Sequence, residues 1–314
     1  MAKINNYGLR TRDIVKAGKQ AMRNEAKNGK RGYTGAKTTG ERWSNFGKWV
    51  RENHGVRFLE KVEKEHVVEY GKTLAAQVEN GQITASTAQN NLSAVNTVMT
   101  SVRSGDWQTV SPTKDCNIEK RSNVRTTAPT ADKDAVASAV ASVAHEVSPR
   151  AAAVVELARE LGLRSKEASL LNAQIALKEA RETGLVSVKA GTKGGRARTV
   201  PVTEKSQITA LERSAAAQSG EKSMIPAEKN WKSWRAGELR QAREILQRET
   251  GGGLHDLRAA YACARYSAIT NAQPPVFGGI QIARDVDEQA RLTISKELGH
   301  NRVDVTTAYI GGRS

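Results

Sequence analysis

Tyr309 lies near the C-terminal end of this 314-residue chain, in the run ELGHNRVDVTTAYIGGRS, nine residues after His300. Upstream, GGLHDLRAAYACARY places His255 and Arg258 three apart. Further upstream lie LGLRSKEASLL, with Arg164 and Glu167, and GTKGGRARTVPV, with Lys193. Attack on a phosphodiester needs a nucleophile, cationic donors for the non-bridging oxygens, a proton acceptor, and a proton donor for the leaving oxygen. Two arginines, two histidines, a lysine and a tyrosine can meet those needs with side chains alone. Arginine suits the cationic role because its guanidinium stays ionised and forks onto phosphate. His255 and Arg258, one turn apart on a helix, face the same way. His300 and Tyr309 would be about 2.5 turns apart on one straight helix, on opposite faces. The Gly299-His300-Asn301 sequence is therefore expected to break the helix and let both point inward.

Other routes to the same chemistry find no support. The five histidines are dispersed and no paired-acid motif stands out, so no metal site is expected. GTKGGRA does not fit the phosphate-binding loop G-x-x-x-x-G-K-[ST], so ATP is not indicated. No cofactor is expected. Cys116 and Cys263 are far apart, without C-x-x-C spacing, and read as free thiols in a reducing compartment.

The net charge of +16 makes a polyanion the obvious partner. Aromatic residues make up only 4%, which argues against stacking platforms for single strands. No apolar run approaches the roughly 20 residues that span a bilayer, and no membrane association is expected. Residues 1–31 carry nine Lys/Arg against two Asp/Glu and read as a basic N-terminal arm. Lys16, Lys19 and Arg23 in that arm, with Arg196 and Arg198 beside the Gly-rich turn, are the candidate DNA contacts.

The elements that must position these residues are mostly helical. Trp43, Phe46, Trp49 and Val50 recur at helical spacing within 36–52, marking a core-facing stripe. Helices are expected over 62–78 and 84–102, completing an all-helical domain over 32–104. Periodicity vanishes from 105 to 132, which reads as a linker with Pro112 and Pro129. One Ala/Val-rich helix is expected from 133 through Leu161, closed by Gly162. Ser165 reads as the next N-cap, with Glu167 in the first turn. Residues 184–190 and 197–202 alternate like the strands of a hairpin with Lys193 at its tip. A long charged helix follows over 228–249, then a helix around His255–Ser267. Residues 271–290 read as a loop, and two short helices close the chain. The fold class is mainly α with a small β-hairpin, in two domains, the second spanning 133–314.

These four segments together resemble the tyrosine recombinase (phage-type integrase) family. Its catalytic domain carries an arginine in a G-x-R-x-x-E context, a hairpin lysine, H-x-x-R, L-G-H, and a tyrosine nine residues on. Here the matches are Gly162-Leu163-Arg164 with Glu167, Lys193, His255 with Arg258, Leu298-Gly299-His300, and Tyr309. The resemblance is specific over 151–314 and architectural over 36–103, where the family has a helical core-binding domain. Arg258 and His300 stand 42 residues apart, more than the family usually shows, and 271–290 is the extra material.

The resemblance implies roles. Tyr309 would attack the scissile phosphate and form a 3′-phosphotyrosyl link. Arg164 and Arg258 would hold the non-bridging oxygens, and His300 would add a hydrogen bond there. Lys193 would protonate the departing oxygen, His255 would assist proton transfer at the tyrosine, and Glu167 would orient Arg164. It implies a site-specific recombinase that integrates or excises a mobile element. The partners would be double-stranded DNA recombination sites, clamped between two lobes, a homotetramer on synapsed DNA, and accessory DNA-bending or directionality proteins. The setting would be a bacterial cytoplasm, at the nucleoid. Two alternatives share the motifs: a type IB topoisomerase that relaxes DNA as a monomer, and a DNA-binding relative that has lost catalysis.

Overall fold

Capping side chains, glycine and proline set most element boundaries in the computed structural model, which describes residues 5–129 and 132–313. The chain is mainly helical with one two-stranded antiparallel sheet. It divides into two units, Met1–Ser122 and Asn123–Ser314. No helix among the described residues is long and apolar enough to cross a membrane.

The first unit packs α1 (Ile14–Lys27), α2 (Tyr33–His54), α3 (Lys64–Glu79) and α4 (Ala85–Val102). Asp13 caps α1 by accepting from Lys16 N at 2.8 Å, and Thr84 caps α4 by accepting from Thr87 N at 3.2 Å. Trp43, Phe46 and Val50 are fully buried, as their spacing predicts, and Trp49 is half-buried. They pack with Ile14, Met22, Leu92 and Met99.

Two boundaries differ from the sequence reading. Residues 14–27 are not an arm apart from the helical domain but its first helix. Ile14, Ala17, Gly18, Ala21 and Met22 form a buried stripe of helical period, hidden in the sequence among lysines and arginines. Trp43 Nε1 donates to Ile14 O at 2.9 Å, fastening α1 to α2. Lys16 and Arg23 point to solvent, whereas Lys19 is half-buried. The expected linker also begins too early. Trp107, Val110, Cys116 and Ile118 are buried in this same core, and Asn96 Nδ2 donates to Val110 O at 2.8 Å.

The second unit comprises α5 (Lys133–Glu146), α6 (Pro149–Glu160), α7 (Ser165–Leu170), α8 (Ala173–Thr183), β1 (Leu185–Val188), β2 (Arg198–Pro201) and α9 (Lys205–Gln218). It continues with α10 (Trp231–Ala236), α11 (Glu238–Thr250), α12 (Leu254–Thr270), α13 (Arg284–Glu297) and α14 (Thr307–Ile310). The hairpin register pairs Leu185 with Pro201 and Val188 with Arg198. The core gathers Leu157, Trp234, Leu239, Leu257, Ile294 and Ile310.

Two expected long helices are each split. Pro149 opens α6 with Ser148 as its cap, the hydroxyl accepting from Ala151 N at 3.2 Å, so 133–161 is a helix pair. Gly237 takes φ −98°, ψ −110° and separates α10 from α11. The expected loop over 271–290 is shorter, since α13 begins at Arg284.

The α1–α2 contact admits no side chain at Gly18, where an added Cβ would lie 2.2 Å from Trp43 Nε1. Gly18→Ala is expected to lower stability by about 1–3 kcal/mol through overpacking. Lys16→Ala, on the exposed face, should stay within about 0.5 kcal/mol. Urea denaturation followed by circular dichroism separates the two; equal effects would mean that α1 does not pack as described.

Candidate active site

The site is assembled around a carboxylate. The chain leaves α6 through Gly162, at φ +60°, where a Cβ would meet the Tyr261 ring at 2.4 Å. It enters α7 with Arg164, not Ser165, as the N-cap. Glu167 reaches back: its Oε2 accepts from Arg164 N at 2.8 Å and its Oε1 from Arg164 Nη1 at 2.7 Å. From β2, Arg198 Nη1 and Nη2 donate to the two Glu167 oxygens at 2.9 and 2.7 Å. Glu167 is fully buried. Burial alone would raise its pKa, but the hydrogen bonds and charge of Arg198, with those of Arg164, outweigh burial and bring it down to about 2.

This overturns the reading of Arg198 as a DNA contact. Its side chain is 5% exposed and its Nε donates to Glu297 O at 2.7 Å. Strand alternation puts Arg198 on the same inward face as Val200. Arg196, two residues earlier, is exposed.

α12 supplies the second arginine. Arg258 is 1% exposed, and its two terminal nitrogens donate to Gly162 O and Leu298 O. Its Nε donates to Tyr309 Oη at 3.3 Å, and the guanidinium lies 5.6 Å from the centre of that ring. Burial, opposed by Tyr309 and reinforced by Arg164, lowers its pKa to about 10, so it stays charged at neutral pH.

The C-terminal segment reverses as the sequence predicts. Gly299 at φ +72° and Asn301 at φ +57° end the helical path after α13. A short 3-10 turn, Val303–Thr306, then leads into α14. The reversal leaves His300 Nε2 3.1 Å from Tyr309 Oη and 3.2 Å from Arg164 Nη2. A guanidinium has donors only, so Arg164 donates to His300 Nε2 and that nitrogen holds the lone pair. The Tyr309 hydroxyl then donates to the same nitrogen while accepting from Arg258. Burial and the positive charges of Arg164, Arg258, Arg198 and Lys193 push the His300 pKa down to about 4, so the ring is neutral at pH 7.

His255 stands differently. It is exposed, and its ring centre lies 5.4 Å from that of Tyr309. Partial desolvation, then Arg258, Arg125 and Arg164, lower its pKa against the opposing charge of Asp256. Lys193 sits on the exposed turn Lys193–Gly195 between β1 and β2 and is not drawn into these hydrogen bonds. Arg164, Glu167, Arg258, His300 and Tyr309 thus form one hydrogen-bonded cluster, with His255 against the tyrosine ring and Lys193 outside. Lys16, Lys19 and Arg23 belong to the first unit.

Sequence reasoning missed Arg198 as the main partner of Glu167; its inward strand position was the available signal. It also missed Arg125, whose backbone N donates to Thr307 O at 2.9 Å and whose side chain pairs with Asp256. Nothing in the aperiodic run around Arg125 could have shown this. Among the described residues, no group of three or more His, Cys, Asp or Glu is placed to hold a metal ion. The cluster presents guanidinium donors and a hydroxyl aimed at a neutral imidazole, a setting suited to a phosphate-like anion.

Comparison with known proteins gives a family match over part of the chain and a likeness of fold. Residues 120–264 match the family described as integrase. No curated protein matches the sequence at a significant level. The XerH site-specific recombinase, in a post-cleavage complex with a palindromic difH substrate, is 14% identical at a TM-score of 0.61, covering 94% of this chain and 79% of that one. The Tn1549 transposon integrase, in complex with transposon right end DNA, is 10% identical at 0.59, covering 95% of each chain. Lambda integrase, as a dimer bound to a COC′ core site, is 15% identical at 0.57, covering 92% and 75%. At these identities the likeness is one of fold.

Arg198→Met is expected to cost about 3 kcal/mol by leaving the buried Glu167 carboxylate short of its bidentate partner. Arg196→Ala, on the exposed turn, should be near neutral; comparable losses in urea denaturation would refute the distinction. The depressed His300 pKa has a defined sign. Below its ordinary value of 6.5 the unfolded chain takes up a proton that the folded site refuses until about pH 4. Stability is therefore expected to hold above about pH 6.5 and to fall as the pH drops toward 4. His300→Gln should flatten that decline, and an unchanged slope would place the acid sensitivity elsewhere.

Proposed function

We propose that this chain is a tyrosine recombinase (integrase) that integrates or excises a mobile element by cutting and rejoining duplex DNA through a 3′-phosphotyrosine, a reading supported by the integrase match over 120–264 and by the shared fold. The observation that carries this reading is the Tyr309 hydroxyl, held between Arg258 Nε at 3.3 Å and His300 Nε2 at 3.1 Å.

The step balances as a transesterification. Tyr309 Oη attacks phosphorus as its proton passes to His300 Nε2. The Oη–P bond forms and the bond from phosphorus to the 5′ oxygen breaks. Lys193, carried in by its glycine-rich hairpin, gives a proton to the leaving 5′ oxygen. Arg164 and Arg258 hold the non-bridging oxygens as charge builds on them, and His255, whose ring centre lies 5.4 Å from that of Tyr309, assists at the phosphate. One phosphoester is exchanged for another, so the bond energy is kept in the phosphotyrosine and neither ATP nor a metal is required. Attack by the 5′ hydroxyl of another strand reverses the step and joins new partners.

His300 replaces His255 here as the acceptor of the tyrosine proton, because it is the imidazole hydrogen-bonded to the hydroxyl. Its low basicity comes first from burial and then from the surrounding cations. A phosphodiester entering among Arg164, Arg258 and Lys193 brings a negative charge that favours the protonated imidazole.

The partner is double-stranded DNA, which the charge of +16 suits. Exchange between two duplexes cuts four strands with one tyrosine for each, which calls for four protomers. Lys16 and Arg23 on the exposed face of α1, and Arg196 on the hairpin turn, are the proposed backbone contacts.

On a nicked duplex carrying a candidate element end, Tyr309→Phe should abolish the covalent protein–DNA adduct on a denaturing gel and leave binding in a mobility-shift assay unchanged. An adduct formed by that variant would sink the assignment of the nucleophile. Arg258→Lys should slow adduct formation by about 10²–10³-fold. Joint products from two sites, in place of relaxed circles alone, distinguish recombination from topoisomerase action.

A further inference from the structure

A cavity of about 280 Å³ lies in the second unit, on the stripe of α12 that carries Ala260, Cys263 and Ala264. Pro274 and Phe277 form part of its wall, and Arg159 from α6 lines it as well. Arg159 is the anomaly. It is 8% exposed, and its Nε has no hydrogen-bond partner. The guanidinium makes no hydrogen bond among the described residues. Its nearest carboxylate oxygen, Glu160 Oε1, is 4.0 Å from Nη1, and the other Glu160 oxygen already accepts from Ser206 at 2.5 Å. The buried Nε of Arg159 is unsatisfied and the residue's one ion pair, with Glu160, is long, so an anion fitted between the apolar walls would add the short charge-assisted contact this guanidinium lacks.

We propose that this cavity is a binding site for a small organic carboxylate, with Arg159 holding the charge and Ala260, Ala264, Pro274 and Phe277 enclosing an apolar body. Its volume lies just below the usual range for small-molecule pockets, which fits a single ring or a short chain and is too small for a nucleotide. The site touches the machinery of Tyr309 through one residue. Cys263 Sγ donates to the backbone oxygen of Tyr309 at 3.7 Å. Burial pushes the Cys263 thiol up to about 12, against the charges of Arg125 and Arg159, so it remains a donor. A ligand against Cys263 therefore sits one hydrogen bond from the tyrosine backbone, where occupancy can shift how the hydroxyl is presented.

The test titrates the full chain with sodium benzoate, benzamide and inorganic phosphate by calorimetry. Benzoate should bind saturably, and the neutral amide and the fully polar anion each about tenfold or more weakly, the worth of one charge-assisted hydrogen bond together with the apolar contact. Arg159→Leu should lose the benzoate signal and Arg159→Lys should keep part of it. Independently of any variant, saturating benzoate should raise the thermal midpoint of the chain while benzamide at the same concentration leaves it unchanged. Equal binding of benzamide or phosphate, no saturation with benzoate, or no rise in the thermal midpoint with benzoate would each overturn the proposal. None of these readouts involves DNA, so their failure would leave the recombinase reading untouched.

Discussion

The Glu167 carboxylate is the interaction on which the second unit's chemistry depends. Three guanidinium groups converge there: Arg198 at 2.7 and 2.9 Å, Arg164 at 2.7 Å, and Arg258 at 4.0 Å. Without a buried negative charge, three such cations would repel one another and the low-dielectric surroundings would magnify the repulsion. With it, Arg198 is fully committed, while Arg164 retains donors directed at His300. The same carboxylate caps α7, so the helix that carries Glu167 and the arginine that precedes it are fixed by one group. A charge buried this completely is stable because its lone pairs are filled, and it stays ionised for the same reason.

Arg258 carries that order across the site. Its terminal nitrogens tie two points where the chain must leave a helix, the carbonyls of Gly162 and Leu298. Each is an otherwise unsatisfied acceptor near a helix end. The guanidinium therefore positions the Arg164 turn and the His300 turn against each other, and its remaining Nε fixes the tyrosine hydroxyl. Arg125 adds a backbone tie at Thr307, just before Tyr309. The tyrosine is held by main chain on one side and by two charged or polar side chains on the other.

How much of this was legible in the sequence depended on how local the signal was. The ordered spacing of Arg164, His255, Arg258, His300 and Tyr309 survives as geometry because each pair is set by a helix turn or by one glycine-centred reversal. The helical stripe at Trp43, Phe46 and Val50 was readable for the same reason. Arg198 was not, since a basic residue beside a Gly-rich turn reads as surface. Its inward face is fixed by pairing with β1, by a carboxylate 31 residues away and by the Glu297 carbonyl. α1 was read as an arm because its lysines and arginines outnumber the apolar stripe of Ile14, Ala17, Ala21 and Met22. The break at Ser148-Pro149 was visible as a cap followed by proline, but an unbroken Ala/Val pattern on both sides hid it. The unsatisfied Nε of Arg159 is wholly tertiary.

The site's electrostatics also bear on why a tyrosine so well placed should be quiet without substrate. On the proposed mechanism its proton passes to His300, yet that imidazole is held near a pKa of about 4 by burial and by four surrounding cations. A base that weak leaves the phenol protonated. The suppression comes first from burial and then from uncompensated positive charge, and the ligand that compensates the second is the phosphodiester itself. Binding the substrate and making the base competent are then the same electrostatic event. Arg164 couples the two, because the guanidinium that donates to His300 is the one assigned to a non-bridging oxygen. As it turns toward phosphate, it releases the imidazole nitrogen to take the tyrosine proton. A more basic histidine at this position would bind the proton before DNA arrived and could no longer accept it from Tyr309.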